Sequence, residues 1–432
     1  MGVSTDLGRV PSVRPLHLIW ALPMNTLMQL AAIEQLQRLE ILQPRGSSSA
    51  ACLHSMVWPK ALKQLVLETP FQMAVGAVPW PPSLQRLVLG GDFNQPVAGV
   101  AWPGHLQELS FGHSFNQPVL GAVWPRALQQ LSFGDQFNQP ITGTVWPASL
   151  RQLSLGGDFN QPIVGAVWPD FLQLLSFGTR FNQPISGTVW PASLRQVSFG
   201  HSFNQPIVGA VWPGLLQQLS FGDQFNQPFA GTVWPASLRH LSFGETFNRP
   251  IGYSKLPRSL RQLSFGYRFN QPIVGVVWPY TLQRLSFGHS FNQPIVGVVW
   301  PVSLRQLSFG NNFNQPVITV KWPPSLLQIS FGHSFNQAIV FAARPSTEEW
   351  PPRLEQLSFG DKFNQPIVGV AWPYTLHKLS FGRDFDQTIA GIWPISLQEL
   401  SYGPTHNECL RTTVNLTSQR WARVTSRGVF VL

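Results

Sequence analysis

Cysteine is nearly missing: the 432 residues include two, Cys52 and Cys409. They lie near opposite ends of the chain, so no bridge between them is expected and no disulfide framework can carry the fold. Charge is scarce too, at 11% of residues against 44% hydrophobic, which excludes a disordered, charge-expanded chain. Long apolar runs are absent. Proline and glycine, 39 and 36 residues, interrupt the chain so often that no stretch of about 18 apolar residues survives, and neither a membrane span nor a long helix is expected. Leu16–Leu22 is apolar, yet Pro15 and Pro23 bracket it and no small-residue cleavage site follows, so it does not read as a secretory signal. Together with the shortage of thiols, this points to an intracellular, cytoplasmic protein. Asn415-Leu416-Thr417 has the form of a glycosylation acceptor but reads as a chance triplet in a polar tail.

The net charge of +10 is not concentrated. Residues 403–432 hold four Arg and one Glu, residues 1–46 hold four Arg and three acids, and the remaining +6 is spread over the middle. Nucleic-acid binding calls for dense basic patches with exposed aromatics among them, and neither is present.

What the chain has is repetition. Phe93-Asn94 returns as Phe115-Asn116 and Phe137-Asn138, and eleven steps of 22 residues lead to Phe335-Asn336. A step of 28 then reaches Phe363-Asn364, and a further 22 reaches Phe385-Asp386. A unit this short cannot bury its own apolar face and must stack on its neighbours. Pro147–Trp168 contains every recurring position. Its Gln152–Gly156 stretch alternates polar and apolar, as in a half-buried strand with Leu153 and Leu155 on the inner face. Stacked copies predict a parallel sheet with coils about 4.8 Å apart. Phe159 then fills a corner, and Asn160 stands where stacked amides can form a ladder and satisfy a buried turn. Ile163 and Val167 are expected to point inward, with Trp168 at the next corner.

Weaker copies flank the regular ones. Leu36–Ile41, Leu62–Leu67 and Leu84–Leu89 keep the strand pattern without the later Ser-Phe-Gly and read as N-terminal capping coils, while Leu400–Gly403 begins a coil cornered at His406-Asn407. The expected organisation is an N-terminal segment with a degenerate capping coil over 1–56, a repeat solenoid over 57–403, and a C-terminal cap or basic tail over 404–432. Phe341–Glu349 adds six residues, near 344–349, that must bulge from one corner. Glu348 and Glu349 make this bulge a possible contact point, although a tolerated surface insertion explains it more simply.

Phe-Asn-Gln-Pro-Ile and Leu-x-x-Leu-x-Phe-Gly, as they stand here, resemble the motifs of the FNIP repeat, a relative of the leucine-rich repeat. The resemblance runs from about Val57 to Gly403 and implies an all-β, leucine-rich-repeat-like parallel β-solenoid with little or no helix. Longer periods overlie the unit. His113-Ser114 recurs 88 residues on as His201-Ser202 and again as His289-Ser290, and Thr144-Val145-Trp146 recurs every 44. Blocks of two and four units were duplicated together, which suits an extendable binding surface better than a single catalytic pocket.

Two columns are candidate binding residues. Arg151, Arg195, Arg239, Arg261 and Arg305 share one, with Gln129, Gln173, Gln217 and Gln283 mostly between them. Such alternation keeps like charges about two coils, roughly 10 Å, apart. The other holds His113, His201, His289 and His333, the first two and the last facing Asp135, Asp223 and Asp361 on the next coil. A Ser/His/Asp centre is not expected, because the serines lie elsewhere on the strand and no oxyanion hole is indicated. Identical histidines four coils apart, about 19 Å, cannot share a metal. The reading is a monomeric, non-enzymatic scaffold that binds a protein through its sheet face, with no cofactor, no metal and no membrane association. Binding of a polyanion or nucleic acid through the Arg column and tail is an alternative, and a hydrolase-like enzyme a remoter one.

Overall fold

The computed structural model of the chain describes residues 35–41, 57–68, 75–252, 254–340, 350–389 and 393–402, together with the backbone of 17–20 and 429–431. Cys52, Cys409, His406-Asn407, the Asn415 triplet and the insertion carrying Glu348 and Glu349 lie outside the described residues. The chain divides into two compact units, Met1–Gly178 and Thr179–Leu432, so the array expected over 57–403 is shared between them.

In the first unit each coil contributes one short strand: β1 (His17–Trp20), β2 (Arg38–Ile41), β3 (Gln64–Leu67), β4 (Arg86–Leu89), β5 (Glu108–Phe111), β6 (Gln130–Ser132), β7 (Gln152–Ser154) and β8 (Leu174–Ser176). Every strand pairs in parallel with the next. The strands of the weak N-terminal copies, β2, β3 and β4, are therefore in register with one another and with β5. In the second unit the strands are β9 (Gln196–Ser198), β10 (Gln218–Ser220), β11 (His240–Ser242), β12 (Gln262–Ser264), β13 (Arg284–Ser286), β14 (Gln306–Ser308), β15 (Gln328–Ser330), β16 (Gln356–Ser358), β17 (Lys378–Ser380) and β18 (Glu399–Ser401). They too run parallel. A last strand, β19 (Val429–Val431), pairs antiparallel with β18 and covers its edge. Among the described residues there is no α-helix, only a 3-10 turn at Val75–Ala77. Both units are all-β parallel solenoids.

The core repeats coil by coil. Leu194, Val197, Phe199, Phe203, Ile207, Ala210 and Trp212 are all buried. Phe221 and Phe225 stack within their coil at 4.1 Å between centroids, and Phe225 meets Phe247 of the next coil at 6.1 Å. Trp190 stacks on Trp212 at 6.3 Å. Offset pairs of this kind add about 0.5–1.5 kcal/mol beyond the area they bury.

One inward assignment is wrong. Leu150, Leu153, Leu155, Phe159 and Ile163 are buried as expected, but Val167 is 70% exposed and Ala166 takes the inward place. The cause is a turn: Ala166 donates its N–H to the Ile163 carbonyl at 3.1 Å, and Gly165 sits at φ 83°, the left-handed region that glycine adopts without a Cβ penalty. Alternation restarts beyond this turn with its phase shifted.

Close stacking of the coils is enforced at the residue that follows the strand Phe. A Cβ placed on Gly222 would overlap the carbonyl oxygen of Gly200, and one on Gly244 would overlap that of Gly222. Gly156, expected to face outward, is buried for this reason. Four residues further on stands the asparagine ladder. Asn204 Oδ1 accepts the backbone N–H of Asn226 at 2.9 Å and Nε2 of Gln227 at 3.1 Å. The rungs thus join each Asn side chain to the next Asn backbone, with the Gln amide as a second donor, rather than Asn side chain to Asn side chain. The ladder continues past the insertion, since Asn364 N–H reaches Asn336 Oδ1 at 2.9 Å.

Two outcomes follow from this packing. Gly222→Ala is expected to lower stability by about 1–3 kcal/mol or more through overpacking, whereas Gly214→Ala, which meets nothing within 4 Å, leaves the urea midpoint nearly unchanged; equal midpoints for the two variants would refute the stacking constraint. The Thr232 hydroxyl is buried without a hydrogen-bond partner, at a place where other coils carry Val276 and Val298. Thr232→Val should therefore stabilise by about 1 kcal/mol in thermal unfolding.

Candidate interaction face

Each strand of three residues turns its middle side chain into the core and its outer two to solvent, as in the His240, Leu241, Ser242 pattern of β11. The residue just before the strand adds a further outward column. Arg151 stands there in the first unit, and Arg195, Arg239, Arg261 and Arg305 in the second, all exposed. Alternation with Gln fails at one point: Arg239 and Arg261 occupy successive coils, and the Arg261 N–H donates to the Arg239 carbonyl at 2.8 Å.

The adjoining column supplies two residues that sequence reasoning passed over. His240 is in register with Gln262, which is in register with Arg284, so Arg239, His240, Arg261 and Arg284 cluster on three consecutive strands. Among the described residues no carboxylate lies within ion-pair distance of these arginines. Aligning the units on the first strand residue would have revealed both, because Gln fills that position in β9, β10, β12, β14, β15 and β16 while His240 and Arg284 depart from it. His240 remains solvent-accessible, yet partial burial, and then the positive charges of Arg284, Arg239 and Arg261, push its pKa below the ordinary 6.5.

Beside this cluster lies a hollow of about 350 Å³ over β12–β15, lined by Gln262, Ser264, Arg284, Ser286, Gln306 and Ser308, among others. Gln306 Nε2 bonds Gln328 Oε1 at 3.4 Å. By contrast, the side chains of Gln262, Ser264, Ser286 and Ser308 make no hydrogen bond to any described residue. A second hollow, in the first unit, is lined by Gln129, Ala148, Ser149, Arg151 and Phe171.

The histidine column lies off the sheet, in the turn after the glycine. His113 Nδ1 meets Asp135 at 2.9 Å, His201 meets Asp223 at 2.9 Å and His333 meets Asp361 at 3.0 Å, all between exposed side chains. Exposed pairs of this kind contribute little to stability. His289 instead stacks on Tyr267, with ring centroids 4.3 Å apart. Among the described residues no serine hydroxyl bonds any of these imidazoles, so the arrangement offers no support for an activated nucleophile. Among the described residues no three His, Cys, Asp or Glu side chains gather as a metal set, and no helix is long and apolar enough to cross a membrane.

Short parallel strands stacked coil on coil, those from β4 to β16 each followed by a Phe-Asn corner, define a leucine-rich-repeat-like solenoid. The chain belongs to the FNIP repeat family, whose model matches five consecutive blocks at 115–158, 159–202, 203–246, 247–290 and 291–334. Each block spans two of the 22-residue units. Among solved structures, CroV588, described as a novel circular LRR protein structure, is 34% identical with a TM-score of 0.71, over 92% of this chain and 68% of that one. The Toll–Spätzle complex from Drosophila is similar in fold at 10% identity and a TM-score of 0.56, over 89% of this chain and 62% of that one. No curated protein matches the chain in sequence.

Because folding lowers the His240 pKa, the folded state favours neutral imidazole. Its contribution to stability is intact above about pH 6.5 and is lost as pH falls through the lowered value. Arg284→Gln removes the strongest of the repelling charges, so the His240 ring resonance should titrate at higher pH in that variant by NMR. An unmoved titration would separate His240 from Arg284.

Proposed function

We propose that the chain is a non-catalytic scaffold that engages another protein through the exposed face of its parallel sheet. The observation that carries this reading is where hydrogen-bonding capacity is left over. Asn and Gln side chains at the corner are committed to the ladder, and corner His and Asp to each other. On the sheet face of the second unit, the Gln262, Ser264, Ser286 and Ser308 side chains line a shallow hollow without internal partners. A rigid surface with uncommitted donors and acceptors, flanked by exposed cations, suits recognition of a partner's side chains and backbone. Serine and imidazole are not brought together, so an acyl-transfer centre has no support here. Among the described residues, the outward strand columns of β9–β15 also hold no Phe, Tyr or Trp on which nucleic-acid bases could stack.

Photo-crosslinking amino acids at Gln218 and Gln262 on the sheet face, and at the exposed Val233 away from it, test the reading in cells. Adducts are expected from the sheet positions and not from Val233. The reverse pattern would place the binding surface elsewhere on the coil.

A further inference from the structure

We propose that the sheet face over β11–β15 receives an acidic, extended segment of a partner protein, its carboxylates held by Arg239, Arg261 and Arg284 and its backbone lying along the Gln and Ser side chains of the adjoining hollow. This rests on the sheet-face reading above and gives it a ligand chemistry.

Charge complementarity carries the argument. From β9 to β15 the two outward columns hold Arg195, Arg239, Arg261, Arg284 and Arg305 and no acid. The acids of these coils, such as Asp223 and Glu245, stand beyond the glycine in the corner turn, where Asp223 is already paired with His201. On β4–β5 and on β17–β18 outward cations do meet acids: Arg86 meets Glu108 at 3.4 Å, and Lys378 meets Glu399 at 2.9 Å. Over β11–β13 the cations are left uncompensated and crowded, since Arg239 and Arg261 are on successive coils and Arg284 lies one coil further along. His240, partly buried and beside these charges, has its pKa lowered first by burial and then by the arginines. An incoming carboxylate relieves this repulsion, and guanidinium forks bind carboxylates in a bidentate manner.

Size and chemistry select a protein segment. Five strands about 4.8 Å apart span roughly 19 Å, which an extended peptide covers with about six residues. The hollow of about 350 Å³ runs from Gln262 and Ser264 past Arg284 and Ser286 to Gln306 and Ser308, offering the amide and hydroxyl groups that pair with peptide N–H and C=O. A nucleic-acid strand would find no Phe, Tyr or Trp in the outward strand columns of β11–β15 to stack against, the one ring there being the His240 imidazole.

The full chain and a fluorescein-labelled hexapeptide of alternating Glu and Ser, followed by fluorescence anisotropy, provide the test, with a Gln/Ser hexapeptide and a thymidine hexanucleotide as comparisons. The acidic peptide is expected to bind at low salt and the Gln/Ser peptide not to. Arg239→Gln/Arg261→Gln/Arg284→Gln should lose at least tenfold in affinity with an unchanged circular dichroism spectrum, while Arg86→Gln in the first unit, where the cation is already paired with Glu108, retains binding. Bound peptide should also raise the pH at which the His240 resonance titrates. Undiminished affinity in the triple variant, or tighter binding of the hexanucleotide, overturns the proposal. So does absence of peptide binding in a chain whose sheet positions still crosslink to a partner, an outcome that leaves the sheet-face reading standing.

Discussion

Everything in this molecule follows from how closely one coil lies on the next. Strand pairing sets the separation, and the rest of each 22-residue coil must close to the same spacing, with no α-helix among the described residues to absorb error. Glycine after the strand Phe removes the one Cβ that would hold successive corners apart, as at Gly222 over Gly200. Asparagine then answers the polar groups that such tight stacking buries, Asn204 accepting from the backbone of Asn226. The aromatic columns are a consequence: only with coils so close do Phe225 and Phe247 come to 6.1 Å. Neither glycine nor asparagine contributes apolar area, yet without them the apolar residues have no common interior to enter.

Much of this was legible in the residues. The alternation in Gln152–Ser154, the corner Phe159 and the rung at Asn160 each depend on local chemistry that a period of 22 repeats faithfully. What was not legible came from geometry that composition does not record. Val167 was assigned inward by counting on from Ile163, but a turn through Gly165 at φ 83° resets the count and hands the place to Ala166. The arginine column appeared to alternate with glutamine because most of it does; Arg239 and Arg261 break the pattern on adjacent coils. His240 and Arg284 escaped notice because they belong to the neighbouring column, and it is the register of β11, β12 and β13 that brings them beside those arginines.

The contrast between corner and sheet face separates structure from recognition within one short unit. Corner residues are near-invariant along the chain and hydrogen-bonded from coil to coil. The first outward residue of the strand changes from Gln218 to His240 to Gln262 to Arg284, with no change in the buried Leu219, Leu241, Leu263 and Leu285 that follow them. Surface chemistry is therefore free to vary at fixed architecture, and duplication multiplies positions without disturbing those already present.

The rung from Asn364 to Asn336 shows how far this indifference extends. It has the same length, 2.9 Å, as the rung between Asn314 and Asn292, although 28 residues rather than 22 separate its ends, and β15 and β16 keep their register across it. Chain length at the corner between Val340 and Trp350 is thus decoupled from the lattice of the coil. That corner is a natural splice point, where foreign loops, tags or whole domains can be grafted for display while the solenoid on either side keeps its count.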